Sequence, residues 1–176
     1  MTEPAPTSPA VAPGTYRLDA ARSTIRADVP AMFGLMTVSG TFRLKSGEVT
    51  IAGEAARSSV RATLDASSFS SGNALRDRQV LSPGLLDAAA YPEITFAGRG
   101  PRVQGAGWVV PGAVTARGVT VPAELEMSDV RAEGGEIRFH AVTTLDRTKF
   151  GATGKKGVVG PTITLSIDAV AVLATS

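Results

Sequence analysis

Ser23-Thr24-Ile25-Arg26-Ala27-Asp28-Val29 is the stretch whose reading decides the fold. Ile25, Ala27 and Val29 fall on one face and Thr24, Arg26 and Asp28 on the other, the period of a strand that is dry on one side and wet on the other. The same alternation recurs outward in both directions. Val38, Gly40, Phe42 and Leu44 alternate with Ser39, Thr41 and Arg43, and Lys45-Ser46-Gly47 predicts a turn into a further strand over 48–51. Val60, Ala62 and Leu64 repeat the pattern, as do Ala123, Leu125 and Met127. Gly134-Gly135 predicts a tight turn into Ile137, Phe139, Ala141 and Thr143, with Arg138 and His140 facing away. Ile163, Leu165, Ile167 and Ala169 form the inner face of a last strand.

One segment, 73–91, breaks the alternation. Asn73 predicts the cap of a short helix containing Leu75, Val80 and Leu81. Ser82-Pro83 predicts the start of a second, with Leu85 and Leu86 on its apolar side and Tyr91-Pro92 at its end. The Ser-rich run 66–72 before it reads as a loop.

Composition narrows the class. The 176 residues fit one domain, with a Pro-rich extended tail over 1–14 and a single domain over 15–176. The chain has no cysteine and one histidine, which excludes disulfides, thiolate chemistry and a histidine-rich metal centre. Charged residues make up 19% and the net charge is +2 without a basic run, so nucleic acid is not an expected partner. Neither a basic-apolar leader nor a membrane-length apolar run is legible, and the chain reads as a soluble cytoplasmic protein. Gly 19 and Pro 11 suit many short strands better than a helix bundle.

Many antiparallel strands with one apolar face each must close on themselves as a barrel or stack as a sandwich. The inner faces are rich in Ala, Val and Gly, and aromatics are only 5% of the chain. Small side chains in a wide barrel leave volume for a ligand, whereas a flattened sandwich closes without a cavity.

The order of several short motifs resembles the YceI family, the polyisoprenoid-binding, lipocalin-like β-barrel proteins. They are Tyr16-Arg17-Leu18-Asp19 followed by Ser23, Gly40-Thr41-Phe42, Arg76-Asp77 with Val80-Leu81-Ser82, and Leu86-Asp87. Tyr91-Pro92-Glu93-Ile94-Thr95-Phe96, Thr115-Ala116-Arg117-Gly118-Val119-Thr120 and Asp146-Arg147-Thr148-Lys149-Phe150-Gly151 continue the series. The resemblance implies a mainly β fold, an extended antiparallel barrel with a short helical insert, whose interior holds a polyisoprenoid or quinone-like lipid. It implies no catalytic residues and no other cofactor. Where many members carry a histidine after the second strand, this chain reads Pro30-Ala31-Met32-Phe33-Gly34-Leu35, so a polar contact to the ligand's head is expected to be missing.

Alternation and size then nominate the ligand-binding residues. Phe42, Phe96, Phe139, Ala141 and Ile163 line the tunnel, and Met32, Phe33, Leu35, Met36, Leu75, Leu81 and Leu85 close it. The same pattern also describes an ordinary β core. Arg76-Asp77 and Asp146-Arg147 read as ties between a helix or loop and nearby backbone, the alternative being contact with a ligand's head. The glycine-rich run 151–157 fails as a phosphate loop, because Lys149 stands at the first glycine position and Lys156 where Ser or Thr is required. It reads as a flexible basic loop suited to contact with a pyrophosphate or, transiently, with an anionic membrane surface. The expected function is non-enzymatic binding, transport or storage of a long isoprenoid lipid by a monomer or homodimer. The alternatives are an enzyme acting on a barrel-bound lipid, and a cavity-free β-domain working through protein contacts.

Overall fold

The computed structural model describes residues 11–32, 34–154 and 160–174. Ten strands wind into one antiparallel sheet: β1 (Gly14–Leu18), β2 (Thr24–Ala31), β3 (Met36–Ile51), β4 (Ser59–Ser70), β5 (Glu93–Arg99), β6 (Arg102–Gln104), β7 (Gly107–Ala116), β8 (Val119–Glu133), β9 (Glu136–Asp146) and β10 (Thr162–Leu173). Pairing runs β10–β2–β3–β4–β5–β7–β8–β9 and returns from β9 to β10, so the wall is a closed barrel. Closure removes the exposed edges that an open sheet of this length would carry. Two positions in the wall are each shared by two strands. β1 pairs with β10 and β3 at one end of the barrel while β2 pairs with the same two strands at the other, and β6 extends the position of β5 beside β7.

The alternating faces are set as the sequence pattern predicts. Ile25 and Ala27 lie opposite Ile167 and Leu165 across β2 and β10, and Ala141 and Phe139 lie opposite Ile167 and Ala169 across β9 and β10. All belong to the three packed clusters that fill the interior. His140 faces outward and its Nδ1 lies 2.9 Å from Asp168 Oδ1. Gly134 and Gly135 both have positive φ, as a tight hairpin requires, and Arg117-Gly118 makes a second turn of the same kind between β7 and β8.

Three local expectations are corrected. Lys45-Ser46-Gly47 does not turn the chain: β3 continues through it with a bulge between Leu44 and Ser46. A Cβ at Gly47 would stand 2.3 Å from Leu18 Cδ1 and 2.9 Å from the Arg61 carbonyl, so this glycine serves close packing. The run 66–72 is strand as far as Ser70, and Phe69 within it is buried. Asn73 does cap a helix, α1 (Ala74–Leu81), by accepting a hydrogen bond from the Arg76 amide, but the segment after Ser82 forms successive turns and no second helix.

Candidate functional site

The helix and three connections crowd one end of the barrel, here called the mouth: the β2–β3 turn, α1 with the turns that follow it, the β7–β8 turn and the loop from β9 to β10. Beneath them lies a cavity of about 280 Å³. Ala27, Val29, Ala31, Met36, Val38, Phe42, Phe69, Val80, Leu86 and Ile163 are among its walls, and Arg76 and Gln79 of α1 are its two long polar side chains. Deeper in, Phe42 and Phe69 stand 5.3 Å apart between ring centroids, tilted by 56°. Phe42 packs both on the mouth cluster and on Ile25, Leu44 and Leu64. The pair therefore separates the mouth cavity from the middle of the barrel.

The middle is apolar and narrow. Its free volume is about 50 Å³, bounded by Ile25, Leu64, Ile94, Phe96, Leu125, Phe139, Ala141 and Leu165 among others. That is room for about three to five water-sized groups. The expectation of a continuous hollow left by small residues is corrected here, because Leu, Ile and Phe occupy the central layers and the alanines cannot offset them. At the far end the lumen widens again to about 270 Å³ between Val11, Val49, Ile51, Trp108, Val110, Met127 and Val130. A chain-like guest must turn Phe42 and Phe69 aside to pass from the first space toward the others.

Each nominated residue has a definite place. Met32, Met36, Phe42, Leu85 and Ile163 line the mouth cavity, Phe96, Phe139 and Ala141 line the middle, and Leu81 packs on the cluster of Ala27, Phe69 and Leu165. Leu35 and Leu75 line none of the three spaces: they are 85% and 63% exposed, next in sequence to Met36 and Arg76. Phe33 lies outside the described residues, as do 155–159 of the basic loop. Sequence reasoning missed Phe69, Val80 and Arg76 as parts of the mouth.

Aromatic rings fit inside because glycines make room for them. A Cβ on Gly40 would stand 2.3 Å from Phe69 Cε2, and Cβ atoms on the cross-strand neighbours Gly98 and Gly112 would each stand 2.9 Å from Phe96 Cζ. The Phe69 and Phe96 rings are thus each seated against bare backbone, which is how glycine in a strand admits a close approach.

Two arginines, Arg147 buried and Arg117 half-buried, fasten part of the mouth. Arg147 donates to the carbonyls of Gly160 through Nε and of Ala152 and Gly154 through one terminal nitrogen, tying both ends of the β9–β10 loop. Burial pulls its guanidinium below the ordinary value, opposed by the charge of Asp146. Asp146 itself accepts from the Thr148 hydroxyl and amide, which hold its carboxyl below the usual range. Arg117, in a left-handed turn, donates to the carbonyls of Pro83 and Leu85. Gly154 donates to Gly84 and Gly160 to Pro30, so the loop, the post-helix turns and the end of β2 are laced together. The expectation of ties matches this geometry for Asp146-Arg147 and for Asp77, which accepts from the Ser71 amide and hydroxyl, and is corrected for Arg76, whose guanidinium has no partner among the described residues.

Among the described residues two buried polar atoms are unmatched, Arg117 Nε at the mouth and the Thr143 hydroxyl inside the barrel. Thr143, on the inner face of β9 and 5% exposed, has a hydroxyl with no hydrogen-bond partner among the described residues. Thr143→Val replaces that hydroxyl by a methyl group of similar size. It is expected to raise the unfolding free energy by about 1 kcal/mol in urea denaturation, and a loss of stability would show that the hydroxyl is bonded.

Among the described residues no helix is long and apolar enough to cross a membrane. Known proteins share this architecture. BcnA of Burkholderia cenocepacia superposes with a TM-score of 0.77 at 24% identity, over 90% of this chain and 99% of BcnA. A polyisoprenoid-binding domain from Saccharophagus degradans, implicated in plant cell wall breakdown, gives 0.69 at 16% identity, over 90% of this chain and 98% of that domain. At these identities the likeness speaks for the fold. In sequence, a UPF0312 protein of Pseudomonas putida (strain GB-1) is 31% identical over 143 residues, 77% of this chain and 73% of that protein. A family model described as the YceI-like domain matches residues 16–171, nearly the whole closed wall, and the chain belongs to that family.

Proposed function

We propose that this protein is a non-enzymatic carrier of an isoprenoid lipid, a polyprenyl chain or quinone tail, whose apolar end lies in the mouth cavity and extends inward past Phe42 and Phe69. The observation that carries the reading is the mouth cavity itself, about 280 Å³ with apolar walls apart from Arg76 and Gln79, set above an apolar lumen. Burial of each methylene-sized unit is worth about 0.8 kcal/mol, so such a space binds by length more than by polar contacts. Met32 and Met36 at the rim are unbranched and repack readily around different tails. The name of the Saccharophagus degradans domain, polyisoprenoid-binding, agrees in ligand class.

Loading takes place by transient contact with a membrane surface. Leu35, Leu75, Met36 and Met32 expose apolar side chains on the rim, and a water-insoluble guest leaves a bilayer most easily where the carrier's own apolar rim meets it.

Organic extraction of the purified protein followed by mass spectrometry is expected to release a prenyl lipid in near-stoichiometric amount. Empty extracts, together with no uptake of added polyprenol or menaquinone, would overturn the reading. Ala31→Trp places an indole in the mouth cavity, where the volume accommodates it. Uptake of polyprenol is expected to fall about tenfold or more while the thermal midpoint moves by only a few degrees. Unchanged uptake by the folded variant would remove the mouth as the binding space.

A further inference from the structure

We infer that the lipid carries an anionic head group, of the phosphate or carboxylate kind, and that Arg76 holds it at the mouth with Gln79 beside it. The inference rests on the carrier reading and adds the chemistry of the guest's polar end. It starts from a charge that the fold leaves unspent. Arg76 is half-buried on the wall of an otherwise apolar cavity, and its guanidinium has no hydrogen-bond or ion-pair partner among the described residues. Of the other charged groups around this end, Arg117 and Arg147 are engaged on backbone carbonyls, Asp77 on Ser71 and Asp146 on Thr148, while Asp87 and Lys149 lie outside the lining of the cavity. Asp77, next in sequence, is thus held by other donors and makes no ion pair with Arg76.

The position is also fixed. The Asn73 side chain accepts from the Arg76 amide, so the backbone that carries this guanidinium is anchored at the first turn of α1. Gln79 follows three residues later, one turn along the same helix, and its amide can donate beside the guanidinium. A guanidinium presents a planar fork of donors that matches phosphate and carboxylate oxygens. Beside apolar walls its field is screened less than in open water, which favours an anion that arrives with its tail already in the cavity. An uncharged hydroxyl head would leave that cation without a counterion.

Geranylgeranyl diphosphate and geranylgeraniol share one tail and differ in the head, so titration calorimetry with both isolates the effect. The wild-type protein is expected to bind the diphosphate about tenfold tighter, the scale of one charge-assisted contact. Arg76→Met should bring the two affinities to within about twofold of each other, read as their ratio on one protein so that any change in shared tail binding cancels, and Arg76→Lys should keep part of the preference, having the charge without the fork. Arg78→Met, on an exposed neighbour, should keep it all. Equal binding of the two lipids by the wild type, persistence of the preference in Arg76→Met, or its loss in Arg78→Met overturns the head-group assignment and leaves the carrier standing. Failure of the wild type to take up either lipid overturns both.

Discussion

Gly112→Ala is expected to destabilise the barrel by about 3 kcal/mol or more, at the upper end of what overpacking costs. The added Cβ would stand 2.3 Å from the Ala97 carbonyl oxygen, 2.7 Å from the Gly98 Cα and 2.9 Å from Phe96 Cζ. The first two are backbone atoms of the paired strand β5, which cannot retreat without breaking the register between Thr95 and Gly98. Moving the ring instead would drive Phe96 into a middle space of only about 50 Å³. For a chain of this size each kcal/mol corresponds to roughly 2–4 °C, so the thermal midpoint should fall by about 6–12 °C. Gly53→Ala is the control, because nothing lies within 4 Å of its added Cβ and its φ is not in the left-handed region. There the reduced freedom of the unfolded chain should leave stability level or raise it by up to about 1 kcal/mol. A thermal shift in Gly112→Ala no larger than in the control would mean that β5 and β7 are not packed this closely.

Arg147→Met should cost a comparable amount by a different route. The methionine fills part of the space but returns none of the hydrogen bonds to Gly160, Ala152 and Gly154. Hydrogen bonds to a charged donor are worth about 1.5–3 kcal/mol each, but the loop carbonyls regain water once released, so the net loss is about 3 kcal/mol. The distinguishing readout is limited proteolysis with trypsin. Cleavage after Lys149, which lies between Arg147 and the Ala152 carbonyl it holds, should accelerate severalfold in the variant under conditions where the remainder of the chain stays protected, because local opening precedes cutting. Equal cleavage rates in the two proteins would show that Arg147 does not hold this loop.

The barrel was legible because its strands are wet on one face only, and period-2 alternation survives wherever pairing is regular. It failed where the parity shifts. Ala66 and Phe69 are both buried yet three residues apart, since Ser67 and Ser68 bend around Asp65 and the Ser68 hydroxyl accepts from the Arg43 amide. That bend hid Phe69 among serines. Lys45-Ser46-Gly47 was misleading for a related reason: the glycine is there for the approach of Leu18, a residue far away in sequence. The mouth was partly legible, in Met32, Met36 and Leu85, because apolar residues in connections have little other use. Arg76 stood out only as half of an Arg-Asp pair, and which of its two roles it takes depends on Asp77 being occupied by Ser71, which no spacing reveals.

The division of one wall position between β1 and β2 separates the two halves of the molecule along that lane. The hydrogen-bond ladder is interrupted at the turn through Asp19 and Arg22, so a displacement of β2 beside the rim is not transmitted along a continuous strand to β1 at the base. A shift at the upper storey therefore leaves intact the lower one, where the first strand is zipped to the last and keeps the cylinder shut.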